Sequence, residues 1–248
     1  MQKLPVHVNR IFLNKKKVRD LEKYPFTIPV VRNFNEIKFQ KPVTFIIGEN
    51  GTGKSTLLEA FAVCYGLNPE GGSRNFNFST MASHSVLCDF LTVSKTYNYA
   101  KDGYFLRAES FYNVATEIER LDEGTGEIKK YYGDISLHEQ SHGESFFALL
   151  MERLFGNGIY FFDEPEAALS PKRLLELLVR IDELVKQNSQ FIIATHSPIL
   201  MAFPDADIFE IKNDKLEKTI YEETEHYKIT KYFLNCHQKM LKNLGILL

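Results

Sequence analysis

Four short stretches carry residue types and spacings suited to phosphate chemistry. The first is Gly48-Glu49-Asn50-Gly51-Thr52-Gly53-Lys54-Ser55-Thr56. It fits the G-x-x-x-x-G-K-[ST] pattern of a phosphate-binding loop. Glycines at 51 and 53 let successive backbone N–H groups turn inward around phosphate oxygens. Lys54 is then placed to reach the β- and γ-phosphates of a nucleotide, and the Ser55 hydroxyl suits Mg²⁺ coordination. The second is Phe161-Phe-Asp-Glu-Pro165. An Asp closing a buried strand can meet Mg²⁺ through water beside Ser55, which is the Walker B role and falls to Asp163. Glu164 follows it and can take a proton from an attacking water; a positioned base contributes roughly 10²–10⁴-fold in rate.

The third stretch is Ala194-Thr-His-Ser-Pro198. His196 lies 33 residues after Asp163, about one helix-plus-strand unit later. It is expected at the same sheet edge, within reach of a γ-phosphate or the attacking water. The fourth is Gln140-Ser-His-Gly-Glu144. Ser141 and Gly143 precede a helix and form either a second anion-ready N-terminus or an ordinary capping box. A second anion site makes sense if it completes the nucleotide site of another copy of the chain.

Elements must hold these residues in place. Val43-Thr-Phe-Ile-Ile47, Gly158-Ile-Tyr-Phe-Phe162 and Phe191-Ile-Ile-Ala194 are short continuous apolar runs, as in strands buried on both faces. Asp207–Ile211 reads as a fourth such strand, and Phe26–Phe39 as two edge strands leading into the core. Gly103–Ala108 reads as a strand feeding a helix. Helices are expected from Ser55 to about Tyr65 and over Ser145–Phe155. Another is expected from a Ser170 N-cap with Pro171 at its first position to about Asn188. In that helix Leu174, Leu177, Leu178, Ile181, Leu184 and Val185 share a face. Strands alternating with helices argue for an α/β fold with a mainly parallel sheet.

Composition narrows the class. The chain has 248 residues, 44% hydrophobic and 25% charged, which is ordinary for a globular protein. No apolar run approaches the ~18 residues of a spanning helix, and residues 1–5 lack a signal-peptide core. Cys64, Cys88 and Cys236 show neither disulfide-framework nor metal-ligand spacing. A reducing cytoplasmic setting is expected. The net charge of −2 gives no support to general nucleic-acid binding. Residues 3–23 nevertheless hold seven basic side chains, Lys15, Lys16 and Lys17 among them, against two acidic ones. That stretch suits phosphate backbone, or is a solvated face or terminal arm. Glu222, Glu223, Glu225 and His226 read as solvated surface in preference to a metal site.

The order of the four motifs resembles the ABC-type ATPases, most of all the soluble branch with RecF, SMC proteins and OLD-family ATPases. The resemblance covers about residues 26 to 211. It implies an ABC-ATPase-like P-loop NTPase fold: one domain over 1–248, an N-terminal antiparallel β portion, and a small helical lobe at about 66–140. It further implies Mg-dependent ATP hydrolysis by an ATP-sandwiched homodimer. Gln140–Glu144 then aligns with the signature that contacts the partner's γ-phosphate, with His142 in place of a Gly and Glu144 in place of Gln. Ala168-Leu-Ser170 becomes the D-loop and His196 the switch histidine. The family's Q-loop Gln is missing, because no Gln stands between Ser55 and His138; Glu109 is either its replacement or a surface residue. The adenine contact stays open among Tyr24, Phe26 and Phe34, each of which also suits a core. The 87 positions from Lys54 to Ser141 leave no room for SMC-type coiled-coil arms. The role is expected in DNA repair or mobile-element defence, with DNA as a possible partner. The alternatives are a nucleotide-gated switch on a separate effector protein and, with least support, a transporter ATPase subunit.

Overall fold

The computed structural model describes residues 6–73, 86–108, 116 and 142–246. Most of the expected 66–140 lobe, with Glu109, Gln140 and Ser141, lies outside the described residues.

A seven-stranded sheet organises the described chain. Its strands are β10 (Lys215–Thr219), β9 (Asp207–Lys212), β3 (Val43–Ile47), β8 (Gln190–Ala194), β7 (Gly158–Asp163), β6 (Asp102–Arg107) and β4 (Gly72–Ser73), in that spatial order. The five central strands are parallel, and the two edge strands pair antiparallel. The apolar runs form β3, β7 and β8 because both faces of the sheet are covered. Alternate residues serve the two faces. Phe45, Ile47, Phe162 and Ile193 pack against α3 (His142–Glu152) and α4 (Pro171–Lys186). Ile46, Phe161 and Ile192 pack against α2 (Lys54–Tyr65) and a second, three-stranded sheet.

That second sheet is antiparallel, ordered β2 (Glu36–Lys38), β1 (Val8–Leu13), β5 (Leu91–Lys95). It matches the antiparallel portion implied by the resemblance, and it takes in part of the basic N-terminal stretch. Val8, Ile11 and Leu13 are buried while Lys15, Lys16 and Lys17 stay exposed. Within the described residues the stretch is a strand followed by a solvated basic turn. Gln190 stitches the two sheets together: its carboxamide oxygen accepts from His7 N–H (2.8 Å) and Val8 N–H (2.9 Å), and its NH₂ donates to Val8 C=O (2.9 Å).

The reading of Phe26–Phe39 as two edge strands is half right. Glu36–Lys38 is a strand, but Pro29–Asn33 is a short helix, α1. Pro29 sits at its first turn, where a missing N–H costs nothing. Arg32 then donates to the carbonyls of Phe26 and Leu21, holding the turn closed.

α4 keeps its expected cap, with Ser170 Oγ accepting from Arg173 N–H. Leu174, Leu177, Ile181, Leu184 and Val185 are buried and Leu178 packs alongside. After β8 come α5 (Pro198–Met201) and, beyond the edge hairpin, α6 (Glu225–Asn243), which the sequence reading did not anticipate. No helix among the described residues is long and apolar enough to cross a membrane.

Candidate functional site

Three neighbouring parallel strands end at one edge and deliver three of the four motifs there. The phosphate loop leaves β3 and enters α2. Its glycines adopt backbone angles that favour glycine, with φ of 77° at Gly51 and 97° at Gly53. At Gly53 a side chain is excluded for a second reason: a Cβ would stand 2.8 Å from Ile28 Cγ2 and from Val30 Cγ1. Glu49 and Asn50 are exposed at the loop's crest. The Glu49 carbonyl accepts from Thr52 Oγ1 and from Lys54 Nζ, each at 2.8 Å. Thr56 is half-buried in the first turn of α2, whose positive end faces the loop.

Lys54 is buried. Burial pulls its ammonium below the usual range, opposed by the carboxylates of Glu164, Asp163 and Glu166. Ser55 Oγ donates to Asp163 Oδ1 at 3.0 Å, so the expected pairing of loop and second strand is present. A hydroxyl and a carboxylate brought together are hard oxygen donors, the set Mg²⁺ accepts. Arg107, at the end of β6, places Nε 3.6 Å from Asp163 Oδ2 and NH1 2.6 Å from Glu59 Oε2.

Glu164 turns the chain sharply, with φ 49° and ψ 54°, and its N–H donates to Ala194 C=O. Its carboxylate Oε1 lies 3.4 Å from His196 Nε2. The His196 ring is held below its usual pKa, first by burial and then by Lys54, against the pull of Glu164. Glu166 fixes the backbone beneath that ring: Oε1 accepts from Thr195 Oγ1 at 2.7 Å and from His196 N–H at 2.5 Å. Burial pushes the Glu166 carboxyl up.

The structure brings Lys54, Ser55, Asp163, Glu164 and His196 together. Gly143 lies in the first turn of α3, and a Cβ there would stand 3.1 Å from the Ala168 carbonyl, so this part of the fourth motif packs on the turn after Glu164. Ser141 lies outside the described residues. Of the three aromatics, Phe26 and Phe34 are core, against Phe90 and Phe61 respectively. Tyr24 alone is exposed.

Four residues were missed. Glu166 sits within the Asp-Glu-Pro-Glu run and was open to notice. Arg107 and Glu59 had no local signal. His226, read as solvated surface, is half-buried with Nε2 3.0 Å from His196 Nδ1. Its neighbours Glu222, Glu223 and Glu225 are exposed as expected, and no group of three metal-ligating side chains occurs among the described residues.

A family model described as an AAA domain (AAA_23) matches residues 25–244. Among curated proteins, the chain is 28% identical over 218 residues to the lipoprotein-releasing system ATP-binding protein LolD of Buchnera aphidicola, covering 77% of this chain and 90% of that one. It is 25% identical over 173 residues to the nucleoside import ATP-binding protein NupA of Lactococcus lactis, covering 61% of this chain. The chain spans 32%, 24% and 31% of the length of three such relatives, NupA among them. Among solved structures, cbiO1 of Clostridium perfringens, part of the ABC transporter complex cbiONQ, superposes with a TM-score of 0.51 at 19% identity, covering 94% of this chain and 97% of that one. The SMC head domain from Thermotoga maritima gives a TM-score of 0.44 at 16% identity, covering 87% and 99%.

Proposed function

Since the chain belongs to the AAA domain family AAA_23, with an ABC-type P-loop ATPase fold, we propose that it binds Mg·ATP and hydrolyses it between two copies of itself. The observation that carries this reading is the meeting of Ser55 with Asp163 and of His196 with Glu164 at the edge where Lys54 caps the phosphate loop.

Each residue has a physical task. The loop N–H groups and the α2 N-terminus bind the phosphates, and Lys54 offsets the charge on the transferred group. Ser55 and Asp163 would hold Mg²⁺, which when bound offsets phosphate charge. Glu164 orients the attacking water and accepts its proton. His196 offers a ring nitrogen to the γ-phosphate or that water. Gly143, beside the Ala168 carbonyl, puts the signature end of α3 next to the Ala168–Ser170 turn. That face, with Ser141, would close on the nucleotide of a second copy, so ATP acts as ligand and glue.

Glu164→Gln keeps the shape and removes the base. In saturating Mg·ATP it should accumulate as a dimer by sedimentation, while Lys54→Ala stays monomeric. A monomeric Glu164→Gln protein with ATP bound refutes the sandwich.

For the downstream role we favour DNA processing in repair or mobile-element defence. The exposed Lys15–Lys17 turn supports it. ATP turnover should rise with added duplex DNA, and the rise should fall steeply with salt and vanish when those lysines are neutralised. DNA-indifferent turnover shifts the role to a separate effector protein. The relatives named as ATP-binding proteins of nucleoside import and of a lipoprotein-releasing system favour a second reading, an ATPase that couples to membrane subunits. Copurification of integral membrane proteins with the ATP-locked Glu164→Gln variant would select it.

A further inference from the structure

The nitrogens of two histidines far apart in the chain are in hydrogen-bonding contact at the edge of the site. His196 Nδ1 stands 3.0 Å from His226 Nε2, with ring centroids 5.2 Å apart. The other nitrogen of each ring, His196 Nε2 and His226 Nδ1, is buried and hydrogen-bonds to nothing among the described residues. His196 Nε2 instead faces Glu164 Oε1 across 3.4 Å.

Hydrogen counting fixes the direction of this contact. Between two neutral imidazoles one nitrogen must donate and the other accept. A lone pair on His196 Nε2 would oppose the Glu164 carboxylate and any phosphate oxygen beside it. The hydrogen therefore belongs on Nε2, and Nδ1 must accept. His226 is then the donor. Burial and Lys54 hold the His196 ring toward the neutral form that this count assumes.

His226 is also held from outside the site. It stands in the first turn of α6, whose buried Thr224 caps the helix by accepting from Tyr227 N–H. The Tyr227 ring packs at a tilt against Tyr221, centroids 4.6 Å apart, and Tyr221 OH donates to Pro198 C=O in α5, two residues beyond His196. The two rings are thus fixed by adjoining elements. Charged groups surround the pair: Lys54 and Glu164 face His196, and Glu166 grips its backbone. Glu49, Glu210, Lys212, Asp214 and Glu225 line the shallow cleft that reaches His226.

We propose that His226 is a positioning residue for ATP hydrolysis. Its Nε2–H, donated to His196 Nδ1, keeps the hydrogen of His196 on Nε2 and aims it at Glu164 and the reacting phosphate. This rests on the reading of His196 given above.

The test compares His226→Phe, His226→Gln, His196→Ala and the His196→Ala/His226→Phe pair. Phenylalanine fills the space without a donor. It should lower kcat by roughly ten- to hundredfold, taking the size seen when the orienting partner of a metal-bound histidine is lost, with KM for ATP nearly unchanged. The Gln carboxamide donates an N–H and should restore most of that loss. The double variant should be no slower than His196→Ala alone, since the two act as one unit. A second readout needs no turnover: ¹⁵N shifts of the His196 ring should report Nε2–H in the wild type and His226→Gln, and a mixture of tautomers in His226→Phe. An unchanged tautomer in His226→Phe overturns the proposal. So does wild-type kcat in His226→Phe when His196→Ala is impaired. Should His196→Ala itself hydrolyse ATP normally, the reading of His196 fails, while the ¹⁵N shifts still decide whether His226 sets the ring.

Discussion

Glu164 holds a left-handed backbone, φ 49° and ψ 54°, at the residue proposed as general base. For a residue with a Cβ that conformation costs about 1–2 kcal/mol. Glycine removes the cost but carries extra unfolded-state freedom worth about 0.4–1 kcal/mol against alanine. The difference predicts that Glu164→Gly is more stable than Glu164→Ala by about 0.5–1 kcal/mol. In a chain of this size that is a Tm rise of about 1–4 °C. Both variants lack the base and should lose roughly 10²–10⁴ in kcat. The assay pairs thermal unfolding followed by circular dichroism with steady-state phosphate release. Glu164→Ala is the proper reference, because both variants remove the carboxylate's charge from beside Asp163 and Glu166. A Glu164→Gly protein no more stable than Glu164→Ala would refute the claim that strain is stored here. Wild-type turnover in either variant would refute the base assignment instead.

Two further predictions follow from buried polar groups. Gln190→Leu strands two N–H groups and one carbonyl of His7 and Val8. At the lower end of about 1–3 kcal/mol per stranded group the loss is about 3 kcal/mol, or a Tm fall of about 6–12 °C by calorimetry; a fall under 2 °C would show that β1 is held otherwise. Glu166 has its carboxyl raised above the usual 4.5 by burial, so the folded protein binds its proton more tightly than the unfolded chain. Stability from this group is full below pH 4.5 and declines as pH rises through the raised value. Urea midpoints of Glu166→Gln relative to wild type should therefore improve from pH 4 upward and level off, and a variant midpoint that falls relative to wild type as pH rises contradicts the assignment.

The parts legible in the sequence are those whose cause is local. β3, β7 and β8 announce themselves because both faces are covered, so apolar residues run without interruption. The phosphate loop is legible because its glycines, Lys54 and Ser55 are all required within nine positions. α4 shows its cap and its apolar face. The parts that escaped depend on distant partners. β1 buries Val8, Ile11 and Leu13, but an irregularity between Val8 and Arg10 in its pairing with β5 breaks the two-residue alternation. Pro29 reads as a strand breaker and starts a helix instead. Gln190 opens a strand whose visible signal begins at Phe191. Arg107 meets Glu59 and Asp163 only after β6 has paired with β7. His226 looks like one member of an acidic surface cluster until α6 folds back against α5 and reaches His196.

The site's residues come from β3, β6, β7 and β8, and parallel pairing explains why they meet. Strands running the same way end at the same edge, so motifs separated by a helix-plus-strand unit become neighbours. Cross-links then join the strand ends side by side. Ser55 reaches Asp163 from the loop after β3, Arg107 reaches it from β6, and Glu164 N–H binds Ala194 C=O on β8. Glu166 crosses from the turn after β7 to Thr195 and His196, and His226 extends the strip to α6. A change at one end therefore shifts geometry at the other, and loss of turnover alone cannot assign a role along such a strip. Glu166→Ala and His226→Phe would each slow hydrolysis by moving His196, one by removing the acceptor of its backbone N–H and the other through its ring hydrogen. Only the ring reports the difference: its tautomer should survive the change at 166 and be lost with the change at 226.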